Sequence, residues 1–295
     1  MSYYKILGFK KEPFSTSPDP DFFYLSREHE TALINILIEL RLRRGLSLIL
    51  GDVGTGKTTL SRKLIQELKS REDFIFNVIL DPSFEDDKTF LAFLTRSFSI
   101  DIGDIESCSV LDLKESLEKY LFQKTIKENK TVVLIIDEAQ KLSYSSLELL
   151  RVFLNYETNE FKLFQLVLLG QVELYSKIIN IPNLFDRISF KYILNPLDLK
   201  ETKNMIEFRM KQAGFKTDVS FLFLDEAIKE IYEYSMGYPR QITMLCHKAL
   251  KNLILKKKLL IDRQIIKDII EEENKWAERR LFLLKPVSSV EIDAE

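Results

Sequence analysis

The chain has 295 residues, a length that suits two domains of about 150 residues each. Hydrophobic residues make up 45% and charged residues 30%, which excludes an intrinsically disordered chain. The 43 Lys and Arg residues and the 45 Asp and Glu residues leave a net charge of −2, so bulk charge alone cannot hold nucleic acid. With only 2 cysteines and 2 histidines, which do not cluster, a disulfide framework and a His/Cys zinc site are both excluded.

The sequence contains no apolar run of about 18 residues, the length that a transmembrane helix needs. The N-terminus also lacks the basic, apolar and small-residue segments of a signal peptide. We therefore expect a cytoplasmic protein whose cysteines, Cys108 and Cys246, are reduced. A peripheral position at the inner membrane, reached through a partner, stays open.

The first part of the chain alternates between strand and helix patterns. Residues 1–25 combine prolines with aromatics and predict an irregular arm, and the apolar spacing from Arg27 to Arg44 predicts a helix. Buried strands are predicted at Leu46–Leu50, Phe74–Leu80, Thr131–Ile136, Phe164–Leu169 and Tyr192–Leu194. Helices are predicted between them at Lys57–Ser70, Thr89–Phe98, Leu111–Glu128 and Ser145–Asn155. This alternation predicts an α/β fold with a parallel sheet between helices.

After Pro196 only helix patterns remain. They cover Glu201–Ala213, Leu224–Ser235, Pro239–Lys257 and Asp262–Trp276. We therefore expect an α/β domain at 1–195, which includes the N-terminal arm, and a small helical domain at 196–276. Residues 277–295 are expected to form a loose tail.

One glycine-rich segment matches the phosphate-binding pattern G-x-x-x-x-G-K-[ST] at every required position. Its residues are Gly51, Asp52, Val53, Gly54, Thr55, Gly56, Lys57 and Thr58. A predicted strand precedes it and a helix follows it, so backbone N–H groups and the positive helix end would face a phosphate. We expect Lys57 to reach the β- and γ-phosphates of ATP, Thr58 to bind Mg²⁺, and Thr59 to contact the α-phosphate.

Two carboxylates, Asp137 and Glu138, follow the apolar strand at Thr131–Ile136. Ligands of parallel sheets bind at the carboxyl ends of the strands. Asp137 is therefore predicted to hold Mg²⁺, and Glu138 to orient and polarise the attacking water. A site that only binds nucleotide has no need of the second carboxylate, so the pair favours hydrolysis. The alternative is a polar strand end that caps the next helix.

Several segments, spread over nearly the whole chain, resemble the signatures of one family. They are Tyr4…Leu7-Gly8-Phe9…Pro13-Phe14…Pro18-Asp19-Pro20…Phe23-Tyr24-Leu25-Ser26, Gly51–Leu60, Asp137-Glu138-Ala139-Gln140, Gly170–Leu174, Arg187-Ile188, and Ser235–Ile242 with Leu245-Cys246 and Ala249-Leu250. The family is the AAA+ ATPases of the ExeA/GspA (general secretion pathway protein A) type. The resemblance implies a P-loop AAA+ sheet followed by a helical lid. Transposition ATPases of the TnsC and MuB kind have a similar core.

The resemblance implies roles for three further residues. Gln171 would be the sensor of the γ-phosphate or water, or else an amide that caps a strand end. Arg187 would be an arginine finger presented to a neighbouring subunit, or else form a surface salt bridge with Asp186 or nearby acidic residues. Arg240, after Pro239 at the start of a lid helix, would be the second sensor, or else an ordinary first-turn arginine.

The arm offers Phe9, Pro13 and Phe14 as candidates for the adenine wall, with core residues that cover the sheet as the alternative. Lys191 and His247 depart from the family pattern without affecting the ATP site. Secretion proteins of this family continue into a transmembrane helix and a periplasmic cell-wall-binding region. This chain ends at Glu295, and Leu281–Leu284 is too short to span a bilayer, so we expect a free-standing ATPase module.

The resemblance implies a homo-oligomer, a ring or filament, that acts on a protein partner of a secretion or pilus apparatus. The alternative is a DNA-binding ATPase that regulates a transposase or another DNA-processing enzyme. Two basic runs could serve DNA, at Arg41–Arg44 and at Lys256–Lys258 with Lys251, although cations at solvated helix ends explain both. A third possibility is a nucleotide-dependent scaffold that hydrolyses ATP slowly without its partner.

Overall fold

A computed structural model describes residues 3–16, 19–216, 220 and 222–283. The chain forms two compact units. An α/β unit spans Pro18–Pro196, and a helical unit combines Met1–Ser17 with Leu197–Glu295. Among the described helices, none has both the length and the apolar character that crossing a membrane requires.

The α/β unit is built on a parallel five-stranded sheet in the order β2-β3-β4-β1-β5. Its strands are β1 (Leu46–Gly51), β2 (Phe74–Ile79), β3 (Thr131–Ile136), β4 (Phe164–Gly170) and β5 (Ile188–Leu194). The three central strands are buried on both faces, which explains their continuous apolar runs. The edge strand β5 begins at Ile188 rather than Tyr192, because its exposed alternate residues interrupt the apolar signal.

Helices cover both faces of the sheet. They are α2 (Arg27–Leu42), α3 (Lys57–Lys69), α4 (Asp87–Ser97), α5 (Val110–Phe122), α6 (Tyr144–Phe153), α7 (Val172–Ile179) and α8 (Pro182–Phe185). Successive strand residues point to opposite faces, so Leu48 and Leu134 enter the core under α4, α5 and α6, whereas Ile49 and Val133 enter the core under α2 and α3. The short helices α7 and α8 have no counterpart in the predicted elements.

The helical unit contains α1 (Tyr3–Ile6), α9 (Leu199–Gln212), α10 (Asp225–Ser235), α11 (Pro239–Leu255) and α12 (Arg263–Leu283). The last helix extends past the expected boundary at residue 276, so part of the predicted tail is helical. Residues 284–295 lie outside the described residues.

Residues 3–16 of the N-terminal arm belong to the helical unit, whereas residues 19–25 lie in the α/β unit, so the expectation that the whole arm joins the α/β domain is corrected. Arg209 on α9 donates hydrogen bonds to the carbonyl oxygens of Pro13 (2.8 Å) and Ser15 (2.7 Å). Phe9 stacks on Phe215, with ring centroids 5.0 Å apart. Phe14 is almost fully buried and packs edge-to-face on Phe223 in the same unit. These contacts place Phe9 and Phe14 in the core of the helical unit, so the alternative that they cover the sheet is corrected.

The turn between α10 and α11 is fixed against the first residue of the helical part. Gly237 has a φ of +76°, and its carbonyl accepts a hydrogen bond from the backbone N–H of Leu197 (2.9 Å). A Cβ at Gly237 would lie 1.9 Å from the carbonyl oxygen of Leu197, which is backbone and cannot rotate away. Only glycine satisfies both constraints.

We predict that Gly237→Ala destabilises the helical unit. Gly8→Ala is the matched control, because Gly8 also has a positive φ (+85°) in this unit but open space around its Cβ position. The backbone clash should cost about 2 kcal/mol or more beyond the control. Urea unfolding followed by circular dichroism checks this, and equal losses in the two variants would contradict it.

Candidate nucleotide-binding site

The candidate site residues other than Arg187 and Arg240 lie at the carboxyl edge of the parallel sheet. The predicted phosphate loop follows β1, Asp137 and Glu138 follow β3, and Gln171 follows β4. Because β4 lies between β1 and β3, two strand spacings of about 4.8 Å separate the loop strand from the carboxylate strand. Side chains of ordinary length bridge that gap, so the topology brings these predicted residues together.

Lys57 is buried, with only 5% of its surface exposed, at the start of α3. Its ammonium group donates hydrogen bonds to the carbonyl oxygens of Gly51 (2.7 Å) and Asp52 (2.9 Å), so it lies across the inside of the loop. Burial lowers the pKa of Lys57, and the carboxylates of Glu138 and Asp137 oppose that shift. Phosphate oxygens are stronger acceptors than the two carbonyls and would draw the ammonium group to a bound nucleotide.

The two predicted metal ligands are in direct contact. The Thr58 hydroxyl hydrogen-bonds to the carboxylate of Asp137, which is 1% exposed. Burial raises the pKa of Asp137, while this hydrogen bond and the nearby Lys57 favour the ionised form. A hydroxyl and a buried carboxylate side by side form the hard oxygen donor set that Mg²⁺ prefers, usually completed by water and phosphate oxygens. The residues present therefore fit Mg²⁺.

Glu138 adopts a left-handed backbone conformation, with a φ of +52°. Such a conformation is unfavourable for a residue with a long side chain and is found most often at functional sites. Glu138 stands two residues after the last residue of β3, Ile136. Its backbone N–H donates to Asp137 Oδ1 (2.9 Å), and its own carboxylate accepts a hydrogen bond from the Gln140 amide (2.7 Å).

Gln171, the candidate sensor, is the residue immediately before α7. Its side chain makes no capping hydrogen bond to that helix. The backbone N–H of Gln171 donates to Oε1 of Gln140 (3.0 Å). Gln140 therefore contacts both the candidate catalytic carboxylate and the candidate sensor segment. In the sequence, this residue is noted only as part of the motif Asp137–Gln140 that resembles the family.

His29 was not among the predicted site residues, yet it supports the phosphate loop from behind. It is 1% exposed, and its Nε2 lies 2.8 Å from the carbonyl oxygen of Thr55. Since a carbonyl only accepts, Nε2 carries the proton, and Nδ1 accepts from the Ser26 hydroxyl (2.6 Å). A Cβ at Gly56 would come within 2.8 Å of Nε2. The one available sequence signal was Ser26 three residues before His29, at a predicted helix start.

Arg187 lies at the opposite edge of the sheet from the loop. The next residue, Ile188, pairs with Leu46 at the beginning of β1, whereas the phosphate loop begins at the end of that strand. The guanidinium group donates to the backbone oxygen of Asn183 and to the side-chain oxygen of Asn155. Both of these partners are amide oxygens, and neither is the carboxylate that the salt-bridge alternative requires.

Arg240 lies in the helical unit, in the first turn of α11, and is exposed. A cation at a helix N-terminus gains nothing from the helix dipole. The position is therefore not explained by the stability of its own helix.

The two basic runs have intramolecular partners. Arg43 donates to Thr131 and Asn129 at the amino edge of the sheet, and Arg44 lies 3.7 Å from Glu39. In the helical unit, Lys256 pairs with Asp268, Lys258 pairs with Asp262, and Lys251 lies over the ring of Tyr3. These contacts favour the helix-end interpretation over a dedicated DNA surface.

Comparisons with known proteins agree with this geometry. Residues 40–178 match the family model of the AAA domain. General secretion pathway protein A of Aeromonas hydrophila is 34% identical over 250 residues, which cover 84% of this chain and 44% of that protein. The chain therefore spans less than half the length of this relative.

Two solved structures share the fold at low sequence identity. The ORC2 protein of Aeropyrum pernix, in ADPNP and ADP complexes, matches with a TM-score of 0.60 and 19% identity over 83% of this chain and 67% of that one. The ORC1 protein of the same organism, in complex with DNA, matches with a TM-score of 0.62 and 15% identity over 94% and 73% of the two chains. At such identities the matches establish the fold alone.

The sheet order, the phosphate loop and these matches define the chain as an AAA+ P-loop protein, as predicted. Within that class, the chain is similar to General secretion pathway protein A, and this similarity confirms the resemblance of its motifs.

We predict that His29 makes the stability of the α/β unit depend on pH. Burial lowers the pKa of His29 below its ordinary value of 6.5, so the imidazole is neutral in the fold. Below about pH 6.5 the unfolded chain binds a proton that the folded chain excludes. The contribution of His29 to the free energy of unfolding is therefore complete above about pH 6.5. It is lost as the pH falls toward the pKa of His29 in the folded state.

The His29→Gln variant should lose less unfolding free energy between pH 7.5 and 5.5 than the wild type. The difference for one group is at most about 1.4 kcal/mol per pH unit. The control is His247→Gln in the helical unit. This variant keeps His29, so it should still show the decrease in unfolding free energy that His29 causes. Urea unfolding at the two pH values checks this, and a loss in His29→Gln equal to that of the wild type would contradict the assignment.

Proposed function

We propose that the chain binds ATP with Mg²⁺ and hydrolyses the phosphoric anhydride bond, and that it works as an oligomer on a partner protein assembly. The observation that carries this proposal is the cluster at the carboxyl edge of the sheet. There the buried Lys57, the Thr58–Asp137 contact and the Glu138 carboxylate converge. A site that only held nucleotide would not need a carboxylate at Glu138.

Phosphoryl transfer depends on positioning and charge neutralisation more than on covalent chemistry. The backbone N–H groups of Gly51–Thr58 would surround the phosphates, Thr59 would contact the α-phosphate, and Lys57 would turn from its carbonyl partners to the β- and γ-oxygens. Bound Mg²⁺, held through Thr58 and Asp137, would neutralise part of the phosphate charge. Glu138 orients the attacking water, and Gln171 reads the γ-phosphate or this water.

The position of Arg187 supports action between subunits. β1 has 6 residues, so its two ends are about 17 Å apart. An arginine at the amino edge cannot reach the phosphate loop of its own subunit across that length. In a ring or filament it would complete the site of the neighbouring subunit and neutralise transition-state charge. Arg240 would bind the phosphates as the second sensor.

The partner is proposed to be a protein of a secretion or pilus apparatus, with the inner membrane reached only through that partner. This rests on the similarity to General secretion pathway protein A, of which the chain spans 44%. A transposition apparatus or double-stranded DNA remains the alternative effector, although the basic runs are largely paired within the chain. Stimulation of ATP turnover by DNA that weakens with salt would favour this alternative.

We predict that Glu138→Gln leaves ATP binding intact and lowers the turnover number by about 10²- to 10⁴-fold, because the amide cannot accept a proton from water. Glu148→Gln is the control, since it removes an exposed carboxylate, paired with Arg151, from the same unit. Turnover is measured by phosphate release and affinity by a fluorescent ATP analogue. Unchanged turnover would remove the proposed role of Glu138.

We predict that Arg187→Ala lowers turnover by about 10³-fold or more, and that mixing it with Lys57→Ala restores part of the activity. Each mixed interface can pair an intact nucleotide site from the arginine variant with an intact Arg187 from the lysine variant. Arg44→Ala, an exposed arginine beside Glu39, is the control. Mixtures that co-assemble by light scattering yet recover no turnover would refute action between subunits.

A further inference from the structure

A single side chain, Gln140, connects the catalytic carboxylate to the neighbouring strand end. Its amide nitrogen donates to Oε2 of Glu138 (2.7 Å), and its amide oxygen accepts from the backbone N–H of Gln171 (3.0 Å). Each end of the planar amide therefore has a partner, and exchanging its oxygen and nitrogen would place a donor against the N–H and an acceptor against the carboxylate. The two contacts fix the orientation of the side chain.

The surroundings hold Gln140 in place. The ammonium group of Lys177 on α7 donates to the backbone oxygens of Gln140 (2.6 Å) and Leu142 (2.9 Å), so the short helical turn at Ala139–Lys141 is tied to that helix. Space for the amide comes from Gly170 at the end of β4. A Cβ there would approach Gln140 Oε1 to 3.2 Å and the side chain of Leu174 to 2.7 Å.

A glutamate that orients water needs one carboxylate oxygen in a defined place. The side chain of Glu138 has several rotatable bonds, and freedom around them lowers the fraction of time in which the carboxylate faces the water productively. A hydrogen bond from a fixed amide to Oε2 restricts this freedom and leaves Oε1 to accept from water. Hydrogen bonds to a charged acceptor are stronger than neutral ones, so this restraint is effective.

We propose that Gln140 is a positioning residue for ATP hydrolysis, which orients Glu138 through its amide nitrogen and anchors that orientation to the Gln171 segment through its amide oxygen. The proposal rests on the proposed function, because it acts through the Glu138 carboxylate. Gln140 does not contact the phosphate loop in these hydrogen bonds, so its effect falls on the chemical step and not on ATP binding.

Two substitutions separate the two ends of the amide. Gln140→Met keeps the length of the side chain and removes both hydrogen bonds. Gln140→Glu keeps an oxygen for the Gln171 N–H but replaces the donor that faces Glu138 with a second carboxylate. Gln123→Met is the matched control, because the Gln123 amide donates to the Glu128 carboxylate (3.3 Å) at an exposed place outside the site.

Both Gln140 variants should lower kcat by roughly 10- to 100-fold while KM for ATP stays unchanged. Gln123→Met should behave as the wild type. Amide hydrogen exchange at Gln171, measured without nucleotide, should be faster in Gln140→Met and unchanged in Gln140→Glu. A residue that only stabilised the local fold would not lower kcat while leaving KM unchanged. It would also not make the exchange rate at Gln171 differ between the two variants.

A wild-type kcat in Gln140→Met, a change confined to KM, or unchanged exchange at Gln171 in Gln140→Met would overturn the proposal. Failure of the proposed function would give a different result, because neither the wild type nor the Glu138→Gln variant would then hydrolyse ATP. In that case the exchange measurement, which needs no nucleotide, still decides whether Gln140 makes the contact to Gln171.

Discussion

The α/β unit buries two ionisable groups, Lys57 and Asp137, at one edge of the sheet, and the structure around them has to compensate for their burial. Removing a charge from water is costly unless hydrogen bonds and opposite charges compensate for it. Lys57 is compensated by two carbonyls of its own loop, and Asp137 by the Thr58 hydroxyl and the Glu138 N–H. All of these partners come from the loop or from the strand ends. The protein itself therefore positions the side chains of Lys57 and Asp137.

The loop is supported from two sides by different means. On its back, His29 joins the start of α2 to the loop carbonyl of Thr55, and the neutral imidazole is maintained by burial. On the carboxylate side, Gln140 joins Glu138 to the end of β4. Both supports are side chains that donate to oxygen atoms, and neither belongs to the phosphate-binding pattern itself. Preorganisation of this kind lets a site favour a transition state without reorganising during the reaction.

Local patterns were sufficient to predict the central strands of the sheet and to indicate a candidate phosphate loop, because both depend on short-range signals. A strand that is buried on both faces reads as an apolar run, and the phosphate loop occupies consecutive positions between Gly51 and Thr58. The position of the arm was not predictable in this way. Its aromatics are equally apolar against the sheet or against helices, and the deciding contacts, such as Arg209 to Pro13, join residues far apart in the chain. The role of His29 was not predictable either, because its contact to Thr55 also joins residues that are far apart in the chain.

The separation of Arg187 from the phosphate loop follows from topology and not from side-chain detail. All five strands are parallel, so residues that precede a strand and residues that follow one lie at opposite edges of the sheet. No rotamer of Arg187 can cross the length of β1. An arginine finger at this place in the chain is useful only if another copy presents its carboxyl edge to it, and oligomerisation would then be a condition of activity rather than an addition to it. Under the proposed function, a single copy would keep Lys57 and bound Mg²⁺ at the phosphates but would lack the contribution of Arg187 to neutralising the transition state.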